Sequence, residues 1–352
     1  MIVTLPAVIS RSGSDVYFSL LARELPKRGV AAELVPLSHR HEFVPMLSAA
    51  ERSALARADV IHTSVEHGSL VHVPGRPLVL TAHHNVLDPA YQRYTGPLQK
   101  LFHHLLVHPR QKRSLRLAST VICVSEATRR SYAATYPEFA GKMQVIYHGI
   151  DTGHFAPGPK SASGKQPSKK HFSLLFVGHM TRRKGADLLP EIMDRLGPDY
   201  LLICAGQRNA GTRSMTTPSG AQIHVRAAVT DDELLRLYQD CNLLLFPSRL
   251  EGFGYAVAEA MACGKPVVAT DGSSIPESID KGKGGLLCPV DDAGAFAKAV
   301  QQILSDPEKS TAMGIHNRAK AERMFSLDRM IEEHVALYRG CHQRPTALSS
   351  SA

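Results

Sequence analysis

A repeated alternation constrains this chain more than any single residue does. Apolar runs of strand length recur along it, separated by stretches of helical period, and that rhythm marks parallel sheets wrapped by helices. In the first part the runs fall at 2–5, 32–37, 60–64, 78–82, 121–124 and 144–147. From 151 to 170 the rhythm fails, because DTGHFAPGPKSASGKQPSKK carries Pro, Gly, Ser and Lys in place of a periodic apolar face. It resumes at 173–177, 200–205, 242–246 and 266–269. A length of 352 residues accommodates two such units. The spacing therefore predicts two doubly wound α/β domains joined by a linker.

Composition narrows the function classes. Hydrophobic residues make up 43% of the chain and charged residues 21%, without a tract apolar enough to cross a bilayer. The opening residues Met1 to Leu5 run into Pro6 and Arg11 without the basic start, apolar stretch and cleavage site of a secretory signal, which predicts an unsecreted protein. Cysteines at 123, 204, 241, 263, 288 and 341 form no CxxC pair, so they read as reduced, cytoplasmic thiols without structural zinc. The net charge is +9, and residues 1–150 carry most of it, with 17 Lys/Arg against 10 Asp/Glu. Such asymmetry predicts an anionic partner for the front half. Nucleic acid is disfavoured, because there is no zinc-finger spacing, no RNA-binding motif and no Trp for stacking.

Ligands of open parallel sheets bind beyond the carboxyl ends of the strands, so the loops after Val177, Ala205, Phe246 and Ala269 are expected to share one rim. After Phe246 the chain reads Pro247-Ser248-Arg249-Leu250-Glu251-Gly252-Phe253-Gly254, and a helix follows at 256–263. Glycines there let the backbone approach a ligand, and a helix amino terminus offers N–H groups to a phosphate. Glu259, one turn into the helix, suits a ribose diol, while a carboxylate aimed at the phosphates would be repelled. After Val177 the loop Gly178-His179-Met180-Thr181-Arg182-Arg183-Lys184-Gly185 supplies three consecutive cations, a phosphate clamp by chemistry. The plainer reading makes both glutamates and the basic triplet solvated surface charge. A rival reading takes Gly252-Phe253-Gly254 as the start of a dinucleotide fingerprint with Asp271 on the ribose, which would make the protein an NAD-dependent oxidoreductase. Val257 is too bulky for the third small position of that fingerprint.

The stretches GHMTRRKGADLL and EGFGYAVAEAMACGKPVVAT resemble the signatures of family 4 retaining glycosyltransferases. Val124-Ser125-Glu126, residues 145–151, Ile275-Pro276-Glu277 and the terminal 325–338 follow in family order, so the resemblance covers nearly the whole chain. It implies the GT-B fold, two Rossmann-like doubly wound domains facing a cleft. The boundaries would be an acceptor domain at 1–150, a linker at 151–171 and a nucleotide-sugar domain at 172–325. A helix at 326–340 would cross back to the first domain, with a tail at 341–352. Position by position it implies that Lys184 with Arg182 or Arg183 grips the donor diphosphate. Glu251 would contact the transferred sugar and Glu259 the ribose, with backbone N–H groups at Phe253 and Gly254 completing the cradle beside Gly178. In the front domain Thr81-Ala82-His83 resembles the family's T-x-H, making His83, or its neighbour His84, the catalytic-centre candidate, and Gly13 resembles the glycine of the first loop.

Similar transferases work without a metal or cofactor, the donor being a nucleoside diphosphate sugar, and the absence of a D-x-D triplet agrees. A GT-B-shaped epimerase or phosphorylase is the other enzyme the same fold would admit. Two departures stand out: His179 follows Gly178 where Arg is usual, and Ser273-Ser274 precede Ile275 where a pair of glycines is usual. Residues 93–116 form the last feature. Arg93, Lys100, Arg110, Lys112, Arg113 and Arg116 occur without one acidic residue, around an apolar stripe of Leu98, Leu101, Phe102, Leu105 and Leu106. This reads equally as a surface for anionic lipid or a lipid-linked acceptor at the inner face of the membrane, and as a helix whose stripe faces the core.

Overall fold

The computed structural model describes residues 1–8, 13–42, 46–158, 172–207 and 211–343. The chain divides into two compact units, one of residues 1–149 with those from Asp328 onward, the other Ile150–Leu327. Most of the linker anticipated at 151–171, and most of the tail anticipated at 341–352, lie outside the described residues.

In the first unit the apolar runs become β1 (Ile2–Val8), β2 (Ala31–Leu37), β3 (Val60–Ser64), β4 (Leu78–Ala82), β5 (Thr120–Cys123) and β6 (Met143–Val145). They form one six-stranded sheet in the order β2-β1-β3-β4-β5-β6, and every neighbouring pair is parallel. Both faces of a parallel sheet are covered, which is why β4 reads LVLTA and is buried at every position. Leu78, Leu80, Val121, Leu115, Tyr132 and Tyr136 share one core on this sheet. Ser125, first seen in a family motif, caps the helix Glu126–Thr135 by accepting from Thr128 N–H at 3.0 Å. The helix Leu327–Gln343 contributes Met330, Ile331, Val335 and Tyr338 to the buried interior.

The second unit holds β7 (Phe172–Val177), β8 (Tyr200–Gln207), β9 (Arg213–Thr216), β10 (Gln222–Ala227), β11 (Leu243–Phe246), β12 (Val267–Thr270) and β13 (Gly285–Cys288). Their order is β13-β12-β11-β7-β8-β10-β9, parallel except for the antiparallel pair of β9 and β10. Strands β9, β10 and β13 are absent from the sequence expectation. β9 has all four residues exposed and so lacks an apolar signal, whereas Ile223 and Val225 of β10 alternate inward and were legible as a half-buried strand. The helix that follows the basic turn spans Leu189–Leu196. Where the chain enters and leaves this unit, Ile150 N–H bonds to the Phe325 carbonyl at 2.8 Å and Leu327 N–H to the Ile150 carbonyl at 2.9 Å.

Candidate active site

Strand order locates the site in the second unit. The chain winds outward from β7 in both directions, to β8 on one side and to β11 on the other, so the sheet has its switch point between β7 and β11. Their following loops are the basic turn Arg182–Lys184 and the segment 247–254. The two are built against each other. Gly185 has φ of +74°, and a Cβ there would stand 2.1 Å from the Pro247 carbonyl oxygen, so conformation and space both demand glycine. Arg249 N–H bonds to the Arg183 carbonyl at 2.9 Å, and the Arg183 guanidinium returns a bond to the Leu250 carbonyl at 2.9 Å.

Arg249 binds the loops further. Its nearly inaccessible guanidinium forks onto Asp187 at 2.6 and 3.0 Å, reaches Asp291 at 2.5 Å and donates to the Arg182 carbonyl. Burying an arginine is costly unless its donors are satisfied, and two carboxylates and a carbonyl satisfy this one. Asp187 is held below its ordinary carboxylate range by that guanidinium, against the opposing effect of burial. Nothing in the one-dimensional pattern singled out Arg249, because its partners lie about sixty and forty residues away.

Within this frame Lys184 donates to Glu251 Oε1 at 2.5 Å, and Ser248 Oγ donates to the same oxygen at 2.6 Å. Arg182 is exposed, and the half-buried Arg183 uses one guanidinium donor on the Leu250 carbonyl. His179 occupies the turn after Gly178, whose φ of +148° and N–H bond to the Ala205 carbonyl close the end of β7. Gly254, at φ of +93°, is the N-cap of the helix Tyr255–Ala262. The side chain of Phe253 is buried edge-on against Tyr255 and Phe325.

Ser273 and Ser274 are integrated into the site. Ser273 has φ of +58°, a glycine-like conformation, and its hydroxyl accepts from Glu251 N–H at 3.0 Å while donating to the Glu251 carbonyl at 2.6 Å. Ser274 Oγ adds bonds to the Glu251 and Phe253 carbonyls at 3.1 and 3.2 Å. The serines thus clamp the glutamate loop from behind. Glu259 accepts from Tyr238 OH at 2.7 Å, and burial outweighs that bond to push its carboxyl up to about 7. Asp271, the ribose acid of the rival reading, pairs instead with Lys281 at 3.6 Å on the surface.

In the first unit Gly13 begins the helix Gly13–Glu24, and residues 9–12 lie outside the described residues. His83 follows β4 directly. Its Nδ1 lies 3.4 Å from His148 Nε2, its Nε2 is buried without a partner, and burial drives its pKa down to about 3. It is therefore a neutral imidazole at physiological pH. His84 is exposed and stacks on Tyr91. The stripe at Leu98, Leu101, Leu105 and Leu106 faces solvent, at 84, 54, 64 and 41% exposure. That excludes the core-facing alternative for these four positions.

The family profile "Glycosyl transferases group 1" matches residues 160–320, and "Glycosyltransferase Family 4" matches 31–154. The chain is 27% identical over 335 residues to the α-maltose-1-phosphate synthase of Mycolicibacterium smegmatis, covering 89% of this chain and 84% of that protein. It is 31% identical over 213 residues to the lipopolysaccharide core mannosyltransferase LpsB of Rhizobium meliloti, covering 55% of this chain and 60% of that one. Among solved structures, sucrose-phosphate synthase from Thermosynechococcus elongatus superposes with a TM-score of 0.80 at 20% identity, over 97% of this chain and 98% of that one. Anabaena HepE, solved with UDP-glucose, superposes with a TM-score of 0.76 at 18% identity, over 97% and 100%. The two profiles, the likeness to transferases along the chain and the paired parallel sheets lead to one assignment: the chain belongs to glycosyltransferase family 4, and it is a glycosyltransferase of the GT-B fold.

Proposed function

We propose that the protein transfers a hexosyl group from a nucleoside diphosphate sugar, with retention of anomeric configuration and without a metal or cofactor. The observation that carries this reading is the convergence of the basic turn, the Glu251 loop and the helix bearing Glu259 at the switch point of the second sheet. Lys184 and Arg182 meet the diphosphate, helped by the N–H groups of the first turn of Tyr255–Ala262 as negative charge develops on the leaving group. Lys184 exchanges Glu251 for phosphate, and the freed carboxylate receives hydroxyls of the sugar. Glu259 takes the ribose, while Gly178 and Gly254 keep space for the ligand backbone. His83, neutral, offers Nε2 to the reacting sugar, and Gly13 lines the same side. HepE was solved with UDP-glucose, which supports a donor of this class. Proton magnetic resonance of the freshly formed glycoside tests retention, and turnover unchanged by EDTA tests metal independence. An inverted anomer at first turnover, or loss of activity with EDTA restored by a divalent cation, would refute the respective half.

The exposed leucines favour a second element of this proposal, a lipid-linked acceptor reached from the inner face of the membrane. Arg93, Lys100, Lys112, Arg113 and Arg116 are exposed around the stripe, and Lys112 is paired to Glu138 at 3.0 Å. Apolar side chains ringed by cations fit an anionic bilayer surface. Among the relatives are a phosphatidylinositol monomannoside mannosyltransferase and a lipopolysaccharide core mannosyltransferase, whose acceptors are lipid-borne by name.

A further inference from the structure

Behind His83 the first unit buries an unusual concentration of polar rings: Tyr17, His62, His334 and Tyr338, with Thr81 between them. Their hydrogen bonds form one continuous chain. His334 Nδ1 meets the Met330 carbonyl at 2.7 Å, and His334 Nε2 meets Tyr17 OH at 2.6 Å. Tyr17 OH meets Thr81 Oγ1 at 3.1 Å, Thr81 Oγ1 meets His62 Nε2 at 2.6 Å, and His62 Nδ1 meets Tyr338 OH at 2.6 Å.

The proton order of this chain is determined from its end. A carbonyl only accepts, so His334 Nδ1 carries the hydrogen. His334 is neutral, because burial lowers its pKa to about 4, so its Nε2 is bare and Tyr17 donates to it. The single phenolic hydrogen is then used, and Thr81 must donate to Tyr17. The single threonine hydrogen is used in turn, so His62 donates to Thr81 from Nε2. His62 is likewise held neutral by burial and by the neighbouring imidazoles of His334 and His83, so its bare Nδ1 accepts from Tyr338. Each imidazole spends both nitrogens, so His62 and His334 have no nitrogen left for a metal ion or a ligand.

This chain sets the wall against which His83 rests. Thr81, within the strand, and His83, just past its end, both meet Tyr17. The Tyr17 ring stands edge-on to His83 with centroids 5.4 Å apart, and it packs on His148 at 4.7 Å. His148 in turn stacks on His83 at 5.4 Å. The groups facing His83 are thus His84, His148, Tyr17, Phe18 and His62, and none of them carries a carboxylate. We infer that Tyr17 is a positioning residue for His83, held by a one-directional hydrogen-bond chain in which Thr81 is the joint and the helix Leu327–Gln343 supplies both ends. The inference rests on the reading of His83 as a group at the reacting sugar, and it goes beyond that reading by assigning roles to Tyr17, His62, Thr81, His334 and Tyr338.

Ring-nitrogen magnetic resonance on the full chain with labelled histidine tests it without any ligand. The expected wild-type result is His62 protonated at Nε2 and His334 at Nδ1, with His334 and His83 neutral down to about pH 5. In Tyr17→Phe and Thr81→Val, His83 should titrate higher by about one pH unit or more, as its packing loosens and water enters. Thr81→Ser, which keeps the hydroxyl, should restore the wild-type titration, an outcome that a merely space-filling threonine would not produce. With a sugar nucleotide that turns over, the first two variants should lose about tenfold or more in kcat with little change in KM. The opposite tautomer on either histidine overturns the inference, and so does a His83 titration equal in Thr81→Val and Thr81→Ser. Should His83→Asn retain full activity while the tautomers stand as assigned, the reading of His83 fails and the chain of bonds does not.

Discussion

Glu259 shows how much one carboxyl group can encode. Burial raises its pKa to about 7, and the bond from Tyr238 only moderates the shift. A folded-state pKa above the unfolded value means that the contribution to stability is complete below about pH 4.5 and is lost as pH rises through about 7. The same titration reaches the ligand. A ribose hydroxyl bonds more strongly to a carboxylate than to a neutral acid, so nucleotide affinity should rise between about pH 6 and 8. In Glu259→Gln the Glu259-dependent part of that slope should vanish, and calorimetry at a series of pH values checks it, the substitution separating the residue's titration from the nucleotide's own. An unchanged pH profile would mean that the carboxyl group does not touch the ribose. Lys184, Glu251 and Glu259 stood out in the sequence as candidates because glycines and cations cluster locally around them. Arg249 and Tyr17 were not legible there, since each acts through partners far away in the chain, Tyr17 and His334 being 317 positions apart, and Ser273 stood out only as a departure from the family's glycines.

At the scale of the element, what matters is how loops are locked to one another. The basic turn and the 247–254 segment meet at Gly185, so Gly185→Ala meets both a positive φ and a carbonyl oxygen. The strained backbone alone costs about 1–3 kcal/mol, and the turn must also move away from Pro247. Thermal unfolding should show the loss of stability, and nucleoside diphosphate affinity should fall about tenfold or more as Lys184 is displaced. Arg249→Lys is expected to weaken binding in the same direction, because an ammonium cannot span Asp187 and Asp291 together. The helix Leu327–Gln343 makes a different prediction. His334 and His62 are buried with lowered pKa values, so the unfolded chain takes up protons first. The contribution of His334 to stability is present above about pH 6.5 and declines as pH falls toward about 4, by roughly 1.4 kcal/mol per pH unit, and His62 acts in the same direction. Denaturant titrations at pH 7, 6 and 5 measure that slope, and His334→Gln should flatten it. The strands of both sheets were largely legible, β3 and β4 to the residue, because each opens on an apolar run, Val60-Ile61 in β3 and Leu78-Val79-Leu80 in β4. β9 was not, since an exposed edge strand owes its conformation to its neighbour, not to its own residues.

Over the whole molecule, charge and apolar surface are distributed unevenly. Residues 1–150 carry 17 Lys/Arg against 10 Asp/Glu, whereas the remainder carries 24 against 22. Leu98 and Leu105 stand out among the exposed large hydrophobic residues on that basic surface. Sedimentation with vesicles should therefore show binding to anionic but not zwitterionic bilayers, weakening with salt over the range where the screening length falls from about 10 Å to a few Å. Leu98→Ser with Leu105→Ser should abolish it without changing thermal stability, because both side chains are already in water. Binding that ignores both salt and the substitutions would remove the membrane surface from the account while leaving the transferase site intact. That site, at the switch point of the second sheet, is the central claim. Its most direct test is calorimetric titration of the chain with UDP, GDP, ADP, dTDP and NAD, repeated on Glu259→Ala and Lys184→Ala. Saturable binding of one nucleoside diphosphate, weakened roughly tenfold to a hundredfold by each substitution, is the predicted result. Binding of NAD alone, or of a nucleoside diphosphate with equal affinity in all three proteins, would contradict it.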